Sequence, residues 1–490
     1  DIDELEHGHV KPAAKPVDVS DEHLLSLTWH NLYYRAQEKK KGPDGKFGYK
    51  TILKNVSGIV RPGELIAIMG PSGSGKTTLL DLLADRISSG KREGEVRVNG
   101  RPRGSTFKHY AAYVQQEDTL YGTMTVRETF DFVAALTRRP DATDASERAR
   151  VDHILTVLGL KVYENTRIGN IFLKGISGGQ KRRVSLGLEL LKSPSIVFLD
   201  EPTSGLDSAS AYKIVEHLQQ LAKENMTILC TVHQPSSEVY HMFAKLMLLR
   251  SGETVYFGDL EEATTHFAEL GFPAPQYSNP SDFFMTLINT DFDDPDEDNE
   301  KALANRKTNR GQNCESFPEC YAKSASCKQT LNDIVVIHEV ARARELDNKV
   351  IPHAGFAASM WTQFKTLAKR RLQDNIRNPA VYWVRAAMFV MLSLMIGTLY
   401  LDLSTEPSYL QDRVSLMFFA CAFLVFMSIA VVPAFIEDRA IFQRERANGY
   451  YHVATHVIVD SIVTAPGLFI ISLLVSVIIF FMVGLSNGGE

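Results

Sequence analysis

Apolar and polar positions divide the chain into a long part of mixed character and a shorter, strongly apolar part. Between residues 22 and 290, short apolar runs such as residues 65–69 (LIAIM) and 227–232 (TILCTV) alternate with segments of helical periodicity. Apolar runs of this length are typical of buried strands, and the longer periodic segments are typical of helices. The pattern predicts one α/β domain over residues 22–290, preceded by a polar N-terminal extension at residues 1–21.

The pattern changes near residue 291, where an acidic run at residues 291–298 (DFDDPDED) opens a polar stretch that continues to residue 355. Such a stretch has few of the apolar side chains that a packed core needs. We therefore predict a mobile acidic and polar linker over residues 291–355.

Helical periodicity returns at residues 356–378. Lys365 and Lys369 fall opposite the apolar positions, with Arg370 and Arg371 beside them. The apolar positions are Phe356, Met360, Trp361, Phe364, Leu367 and Leu372. This pattern predicts an amphipathic connecting helix that lies along a membrane surface, and an ordinary surface helix of the first domain is the alternative.

Three segments after residue 379 are apolar and long: residues 380–401, 414–436 and 461–485. The first contains one charged residue, Arg385, near its end, and the other two contain none. At 1.5 Å per residue, about 20 helical residues cross a hydrocarbon core of about 30 Å. We predict an all-α transmembrane domain over residues 380–490 in which three spans are present.

The charges of the flanking segments predict an orientation. Basic residues precede the first span and lie between the second and third, whereas the segment between the first and second is mainly acidic. The basic residues are Lys369, Arg370, Arg371, Arg377, Arg439, Arg444 and Arg446. Because positively charged segments stay on the cytosolic side, we expect the α/β domain in the cytosol.

Length and composition restrict the number of domains and the possible classes of function. A chain of 490 residues is too long for one ordinary domain, and a net charge of -5 argues against a nucleic-acid binder held by a broad basic surface. Cys314, Cys320 and Cys327 cluster at spacings that miss Cys-x-x-Cys, so we favour free thiols over a metal site. The chain does not begin with Met and stops just after an apolar span, so we expect a piece of a longer protein.

Residues 70–77 (GPSGSGKT) fit the phosphate-binding loop, G-x-x-x-x-G-K-[ST]. Glycines let successive backbone N–H groups point at phosphate oxygens, Lys76 adds positive charge, and the Thr77 hydroxyl can bind Mg²⁺. The residues of this predicted ATP-binding loop are Gly70, Pro71, Ser72, Gly73, Ser74, Gly75, Lys76 and Thr77.

Two carboxylates follow an apolar run at residues 196–199. Asp200 ends the predicted strand and is expected to hold Mg²⁺ together with Thr77 and Gln116. Glu201 is expected to lie near the γ-phosphate, where a carboxylate can polarise the attacking water.

Residues 177–180 (SGGQ) open a Leu-rich helical segment. Ser177, Gly178, Gly179 and Gln180 would expose N–H groups at a helix N-terminus, which is an anion site. The domain already has one phosphate loop. A second phosphate-binding site therefore predicts that ATP is held between two facing domains. The alternative is a Ser N-cap in a flexible turn.

Further candidates follow other strands. His233 comes after the run at residues 227–232 and could sense the γ-phosphate. For a glutamine that contacts Mg²⁺ and the attacking water, we favour Gln116 over its neighbour Gln115. One aromatic ring among Trp29, Tyr33 and Tyr34 could stack on adenine, although core packing explains all three equally well.

Together these residues resemble an ATP-binding cassette (ABC) protein: residues 70–77, Gln116, residues 177–180, Asp200, Glu201, Asp207 and His233. The order, ATPase domain before membrane domain, is similar to the G subfamily of White-type half-transporters. Further local matches are residues 123–129 (TMTVRET), 279–284 (NPSDFF) and 444–451 (RERANGYY).

The resemblance implies an α/β P-loop ABC ATPase domain that binds ATP and Mg²⁺, with Asp207 in the D-loop. It further implies six spans in a half-transporter, which pairs as a homodimer or heterodimer in the plasma membrane and exports sterols, lipids or other hydrophobic or amphipathic molecules. Intact Lys76, Glu201 and residues 177–180 predict a competent ATPase.

Two other functions remain as alternatives. One is a membrane regulatory or partner subunit that binds ATP without transport of its own. The other is a soluble cassette ATPase of translation or DNA repair, against which the apolar spans argue. Phe419, Phe423 and Phe426 are candidates for a substrate cavity, with lipid-facing packing as the rival explanation.

Overall fold

The protein is described here by a computed structural model. It describes residues 24–41, 47–87, 89–104, 107–138, 142–170, 173–276, 278–289, 316–344, 356–378, 383–403, 407–428 and 432–484. The predicted N-terminal extension, residues 1–21, lies outside them.

Two sheets organise the described part of the first domain. Their strands are β1 (Leu27–Lys41), β2 (Phe47–Val60), β3 (Leu65–Met69), β4 (Lys91–Val98), β5 (Arg101–Pro102), β6 (Ala111–Val114), β7 (Ile196–Asp200), β8 (Thr227–Thr231), β9 (Lys245–Arg250) and β10 (Glu253–Asp259). One sheet is antiparallel with the order β2-β1-β4-β5. The other has the order β10-β9-β3-β8-β7-β6 and is parallel except for its edge strand β10.

The parallel sheet confirms the strands expected at residues 65–69 and 227–232 and the one that ends at Asp200. Every residue of β3, β7 and β8 is buried, as expected for strands covered on both faces. Strands β3 and β7 both pair with β8 in parallel, so their carboxyl ends lie at one edge of the sheet. In open α/β sheets this edge is where ligands bind.

Helices surround the sheets. They are α1 (Lys76–Leu83), α2 (Phe107–Tyr110), α3 (Val126–Thr137), α4 (Asp144–Val157), α5 (Gly178–Leu190), α6 (Ser208–Lys223), α7 (Ser237–Tyr240), α8 (Leu260–Glu269) and α9 (Pro280–Ile288). Polar caps set several of their starts: Thr125 and Glu128 form a capping box on α3, and Asp207 caps α6.

The predicted linker is wrong for its middle part. Residues 316–344 form α10 (Phe317–Lys323) and α11 (Ala325–Arg344). Phe317 is fully buried and its ring contacts those of Phe267 and Phe272, while Asp333 bonds Arg61 at 2.7 Å. Scattered apolar residues that the polar composition concealed thus attach these helices to the cassette. Residues 290–315 and 345–355 lie outside the described part.

The segment in which we expected the connecting helix, residues 356–378, contains α12 (Met360–Arg377). Met360, Trp361 and Leu372 are exposed, whereas Leu367 is buried. Arg370 departs from the expected polar surface because its side chain is buried against the cassette, as described below.

The helical domain contains α13 (Val384–Leu399), α14 (Leu410–Ser428), α15 (Val432–Ala447) and α16 (Val453–Val483). Within the described residues, α16 is long and apolar enough to cross a bilayer, and α13 is a shorter apolar helix. Gly397 of α13 lies so close to Met482 of α16 that an added Cβ would stand 2.7 Å from the Met482 sulfur.

The boundaries of two expected spans are wrong. The segment 414–436 divides between α14 and α15, with residues 429–431 outside the described part, and α15 extends into the expected loop as far as Ala447. Pro433 lies in the first turn of α15, where its missing backbone N–H leaves no intrahelical hydrogen bond unmade. Helix α16 begins at Val453 rather than 461 and includes Asp460, which forms an ion pair with Arg371 at 2.8 Å.

Candidate ATP-hydrolysis site

The phosphate loop joins the carboxyl end of β3 to the N-terminus of α1. Gly75 has φ 101°, and an added Cβ would stand 2.8 Å from the Leu53 side chain, so only glycine fits there. Lys76 is buried, and its Nζ donates to the carbonyls of Gly70 at 2.7 Å and Pro71 at 2.9 Å. Burial lowers the pKa of Lys76, while Glu201 and Asp200 oppose this effect. The loop and its lysine form a compact cationic cradle.

Asp200 lies beside this cradle at the end of β7. Its Oδ1 accepts hydrogen bonds from Thr77 Oγ1 at 3.1 Å and from Thr231 Oγ1 at 2.6 Å. Carboxylate and hydroxyl oxygens are the ligands that Mg²⁺ prefers. The structure thus brings together two of the three residues expected to bind Mg²⁺.

Glu201 follows in a backbone conformation that is uncommon for a residue other than glycine, with φ 47°. Its N–H donates to Thr231 Oγ1 at 2.8 Å, which fixes the turn. Its carboxylate accepts from Gln116 Nε2 at 2.7 Å. The structure therefore joins Gln116 to Glu201, while Gln115 contributes a backbone carbonyl to Arg182.

Thr231 was not foreseen as a site residue. It is fully buried and contacts both carboxylate-bearing residues, through its hydroxyl. A weak signal was present, because Thr231 lies one residue before the end of the strand predicted at residues 227–232. A polar residue at that position of an otherwise apolar run faces the same edge of the sheet.

Residues 177–180 begin α5 with a capping box. Gln180 N donates to Ser177 Oγ at 3.3 Å, and Ser177 N donates to Gln180 Oε1 at 2.8 Å. Ser177 and Gly178 are exposed, and no atom lies within 4 Å of the position that a Gly178 Cβ would take. The N-cap alternative is thus part of the structure, and it leaves an open surface at a helix N-terminus.

The remaining candidates fall into different environments. Asp207 caps α6 through Ser210 N at 3.2 Å, and His233 is exposed just after β8. Trp29 and Tyr34 are buried in the core, where Gly58 packs on the Trp29 ring. Tyr33 is half-buried.

A second set of polar residues joins the cassette to the helical domain. We call it the coupling junction: Arg370, Asp374 and Arg377 of α12, Glu445 of α15, Asn448 and Tyr450 of the following turn, and the cassette side chains they bond. Arg370 bonds Glu445 through two nitrogens, one at 2.9 Å from Oε2, and its guanidinium lies 3.7 Å from the Phe132 ring centroid. Burial tends to lower the pKa of Arg370, but the charge of Glu445, the hydrogen bonds to it and the neighbouring Tyr121 and Tyr451 together raise that pKa.

The other junction contacts reach helices of the nucleotide-binding motifs. Asn448 Nδ2 donates to Glu189 Oε1 at 2.5 Å, and Tyr450 donates to the same oxygen at 2.6 Å. Glu189 belongs to α5, the helix that residues 177–180 open. Arg377 makes two hydrogen bonds to Glu128 of α3, at 2.7 and 2.9 Å. The junction thus touches the helix that follows Gln116 and the helix that begins at Ser177.

A phosphate loop, a carboxylate pair at the end of β7 and an exposed SGGQ helix terminus together define an ABC-type ATPase domain, here joined to a helical domain. The family described as "ABC transporter" matches residues 53–204. The family described as "ABC-2 type transporter" matches residues 362–489, and a second family of that description matches residues 233–302.

Relatives extend the match over nearly the whole chain. ABC transporter G family member 1 of Petunia hybrida is 40% identical over 95% of this chain and 70% of its own length. ABC transporter G family member 11 of Arabidopsis thaliana is 40% identical over 94% and 65%, respectively. The broad substrate specificity ATP-binding cassette transporter ABCG2 of Mus musculus is 33% identical over 94% and 71%.

The chain belongs to the ABC transporter G family. It is an ATP-binding membrane protein whose ATPase domain precedes its membrane domain and couples ATP hydrolysis to transport. It spans about two thirds of the length of the relatives named above.

Proposed function

We propose that the protein is one subunit of a dimeric exporter of lipids, sterols or other hydrophobic and amphipathic molecules. One observation carries the dimer: the helix terminus at residues 177–180 is exposed and open. The N–H groups of Gly178 and Gly179, which the capping box does not use, and the helix dipole suit the γ-phosphate of an ATP held by another subunit's phosphate loop. The second subunit is either another copy or a paralogue.

The site residues take distinct roles in this proposal. Thr77, Asp200 and Gln116 hold Mg²⁺, which when bound neutralises charge on the phosphates. Glu201 accepts the proton of the attacking water, His233 contacts the γ-phosphate, and Asp207 acts from the D-loop. The 2.7 Å bond between Gln116 and Glu201 supports this assignment, because it brings a Mg²⁺ ligand and the base together.

The proposed arrangement of the helical domain in the membrane rests on the charges of the flanking segments and on the apolar surfaces of its helices. We propose that α13, α14 and α16 are three spans of a multi-pass domain in the plasma membrane, with the cassette in the cytosol. Phe469 and Phe481 of α16 are 68% and 70% exposed, which suits contact with lipid. Phe419 is 46% exposed, which fits either lipid or a cavity, and the side chains of Phe423 and Phe426 lie outside the described part.

The hydrophobic substrate class rests on the apolar faces of these helices and on family membership. The printed name of the mouse relative, with its broad substrate specificity, is compatible with a cavity that binds by apolar contact.

Transport in inside-out vesicles tests the proposal. ATP-dependent uptake of labelled sterols, phospholipids and amphipathic drugs is compared for wild type, Glu201→Gln and a control, Glu224→Gln. Glu224 is exposed and caps the far end of α6, so its variant should transport normally. We expect uptake of at least one compound that Glu201→Gln abolishes.

Other results have separate meanings. ATP hydrolysis that requires Glu201 without uptake of any panel compound would contradict the substrate class but not the ATPase. Well-folded protein that binds ATP and shows neither activity would favour the alternative function, a regulatory or partner subunit.

A further inference from the structure

Arg182 occupies an unusual position in the second turn of α5. It is only 4% exposed, and its guanidinium donates to backbone carbonyls of two other segments. Nη1 bonds the carbonyl of Gln115 and lies 3.2 Å from that of Gln116, while Nη2 bonds the carbonyl of Asp200. Nη1 also lies 3.5 Å from the Asp118 carboxylate. One side chain thus links the SGGQ helix to both segments that carry the proposed Mg²⁺ ligands.

The neighbouring arginines do not share this position. Arg183 donates to the carbonyls of Leu158 at 2.9 Å and Gly179 at 3.4 Å. Arg150 bonds the carbonyl of Leu191 at the opposite end of α5. Both hold the helix, but the bonds described for them do not reach Gln116 or Asp200.

The chemistry of arginine suits a rigid link. Its planar guanidinium carries five N–H donors in a fixed fork, so carbonyls bonded by its separate nitrogens are held at fixed relative positions. Bonds from a charged donor are also stronger than neutral ones, particularly where water is excluded. A displacement of the Gln116 segment therefore moves the guanidinium, and with it α5.

We propose that Arg182 is a positioning residue that couples the two ATP sites of the dimer. The proposal rests on the proposed function, in which Gln116 and Asp200 serve the subunit's own ATP and residues 177–180 serve the partner's ATP. Ligand binding at one site shifts Gln116, and Arg182 transmits that shift to the helix terminus that completes the other site. Arg182 touches neither nucleotide.

Mixed dimers test this coupling directly. Two copies of the protein carry tags of different size, and a non-hydrolysable photoreactive ATP analogue labels each copy at its own phosphate loop. Labelling against analogue concentration gives a half-saturating concentration for each copy. Gln116→Ala is placed in one copy, and the effect is measured on the other copy.

With Arg182 present in both copies, we expect Gln116→Ala to raise the half-saturating concentration of the other copy about fivefold or more, a usual size for coupling between sites. With Arg182→Met in the copy that carries Gln116→Ala, that shift should disappear. With Arg150→Met in its place, the shift should persist, because this variant removes an anchor of the same helix without touching Gln116 or Asp200.

Two results would overturn the proposal: no shift in the other copy when Arg182 is present, or a shift that survives Arg182→Met. If Arg182→Met does not fold, Arg182→Lys answers the same question, since an ammonium keeps the charge but cannot bridge both segments. The shift should then shrink, and an undiminished shift overturns the proposal. Absence of labelling in the unmutated dimer would instead refute the proposed function.

Discussion

The ATP site and the coupling junction use similar side chains in opposite ways. At the site, Gln116 and Ser177 are exposed, and Glu201 is half-buried. At the junction, Arg370 and Glu445 are 7% and 2% exposed and bond each other. The site leaves polar groups available to a ligand, whereas the junction satisfies its polar groups within the protein.

This difference separates two kinds of consequence. A group that faces solvent can be changed without leaving a buried charge behind, so its loss affects chemistry more than folding. Removal of one partner from a buried ion pair leaves the other uncompensated and destabilises the fold. Mutations in the two regions should therefore divide between activity and stability.

The largest expected effect belongs to the site. Glu201→Gln should lower ATP hydrolysis by about 10²–10⁴-fold, the usual contribution of a general base. The glutamine can still accept the hydrogen bond from Gln116, so the melting temperature should stay close to that of wild type. Steady-state ATPase assays and thermal unfolding in detergent measure the two quantities. A large loss of stability would contradict the separation between the regions.

The second largest effect is a loss of stability, expected when the buried pair of Arg370 and Glu445 in the coupling junction is broken. Arg370→Met leaves the Glu445 carboxylate buried without its cation and should cost about 3–5 kcal/mol of folding free energy. Adding Glu445→Leu should restore most of this loss, because the uncompensated charge is then gone. Denaturant unfolding of the single and double variants forms a cycle. Equal stability of wild type and Arg370→Met would contradict the assignment of a buried pair.

A smaller effect is expected at Asn448. Its Nδ2 donates to Glu189 Oε1, and its Oδ1 accepts from Arg86 Nη1 at 3.0 Å. Asn448→Ala should cost about 1–3 kcal/mol, because buried polar groups on both sides lose a partner. Gln443→Ala is the matched control, since Gln443 is an exposed amide on α15. Similar unfolding curves for the two variants would show that the Asn448 bonds contribute nothing.

The smallest expected effect on stability comes from the ion pair between Arg377 and Glu128. Both side chains are partly exposed, 30% for Arg377 and 27% for Glu128. The hydrogen bond from Arg377 lowers the pKa of the Glu128 carboxyl. The pair should therefore contribute about 1 kcal/mol at most above the ordinary glutamate pKa of about 4.3, and lose it as pH falls through the lower folded-state pKa.

Comparing Arg377→Met with wild type across acidic pH measures this contribution. The stability difference should shrink as the pH falls. A difference that stays constant through that range would show that the Glu128 charge is not involved.

Sequence patterns predicted the nucleotide-binding strands well because these strands are buried on both faces and carry few polar residues. The motif residues could be proposed from the sequence because most of them follow a predicted strand or precede a helical segment. The linker was misjudged because Phe317 and other apolar residues are scattered through polar sequence. The expected spans had wrong ends because hydropathy registers neither a proline in a first turn nor an aspartate paired across helices.

The sequence by itself determined the cassette class, the order of the domains and the identity of Lys76, Asp200 and Glu201 as candidates. These depend on local spacing, which the chain carries directly. Only the tertiary structure decided that Thr231 bonds both the Asp200 carboxylate and the Glu201 backbone, that Arg370 is buried and that Arg182 links α5 to two other segments. Those facts depend on contacts between residues far apart in the chain, which a local pattern does not specify.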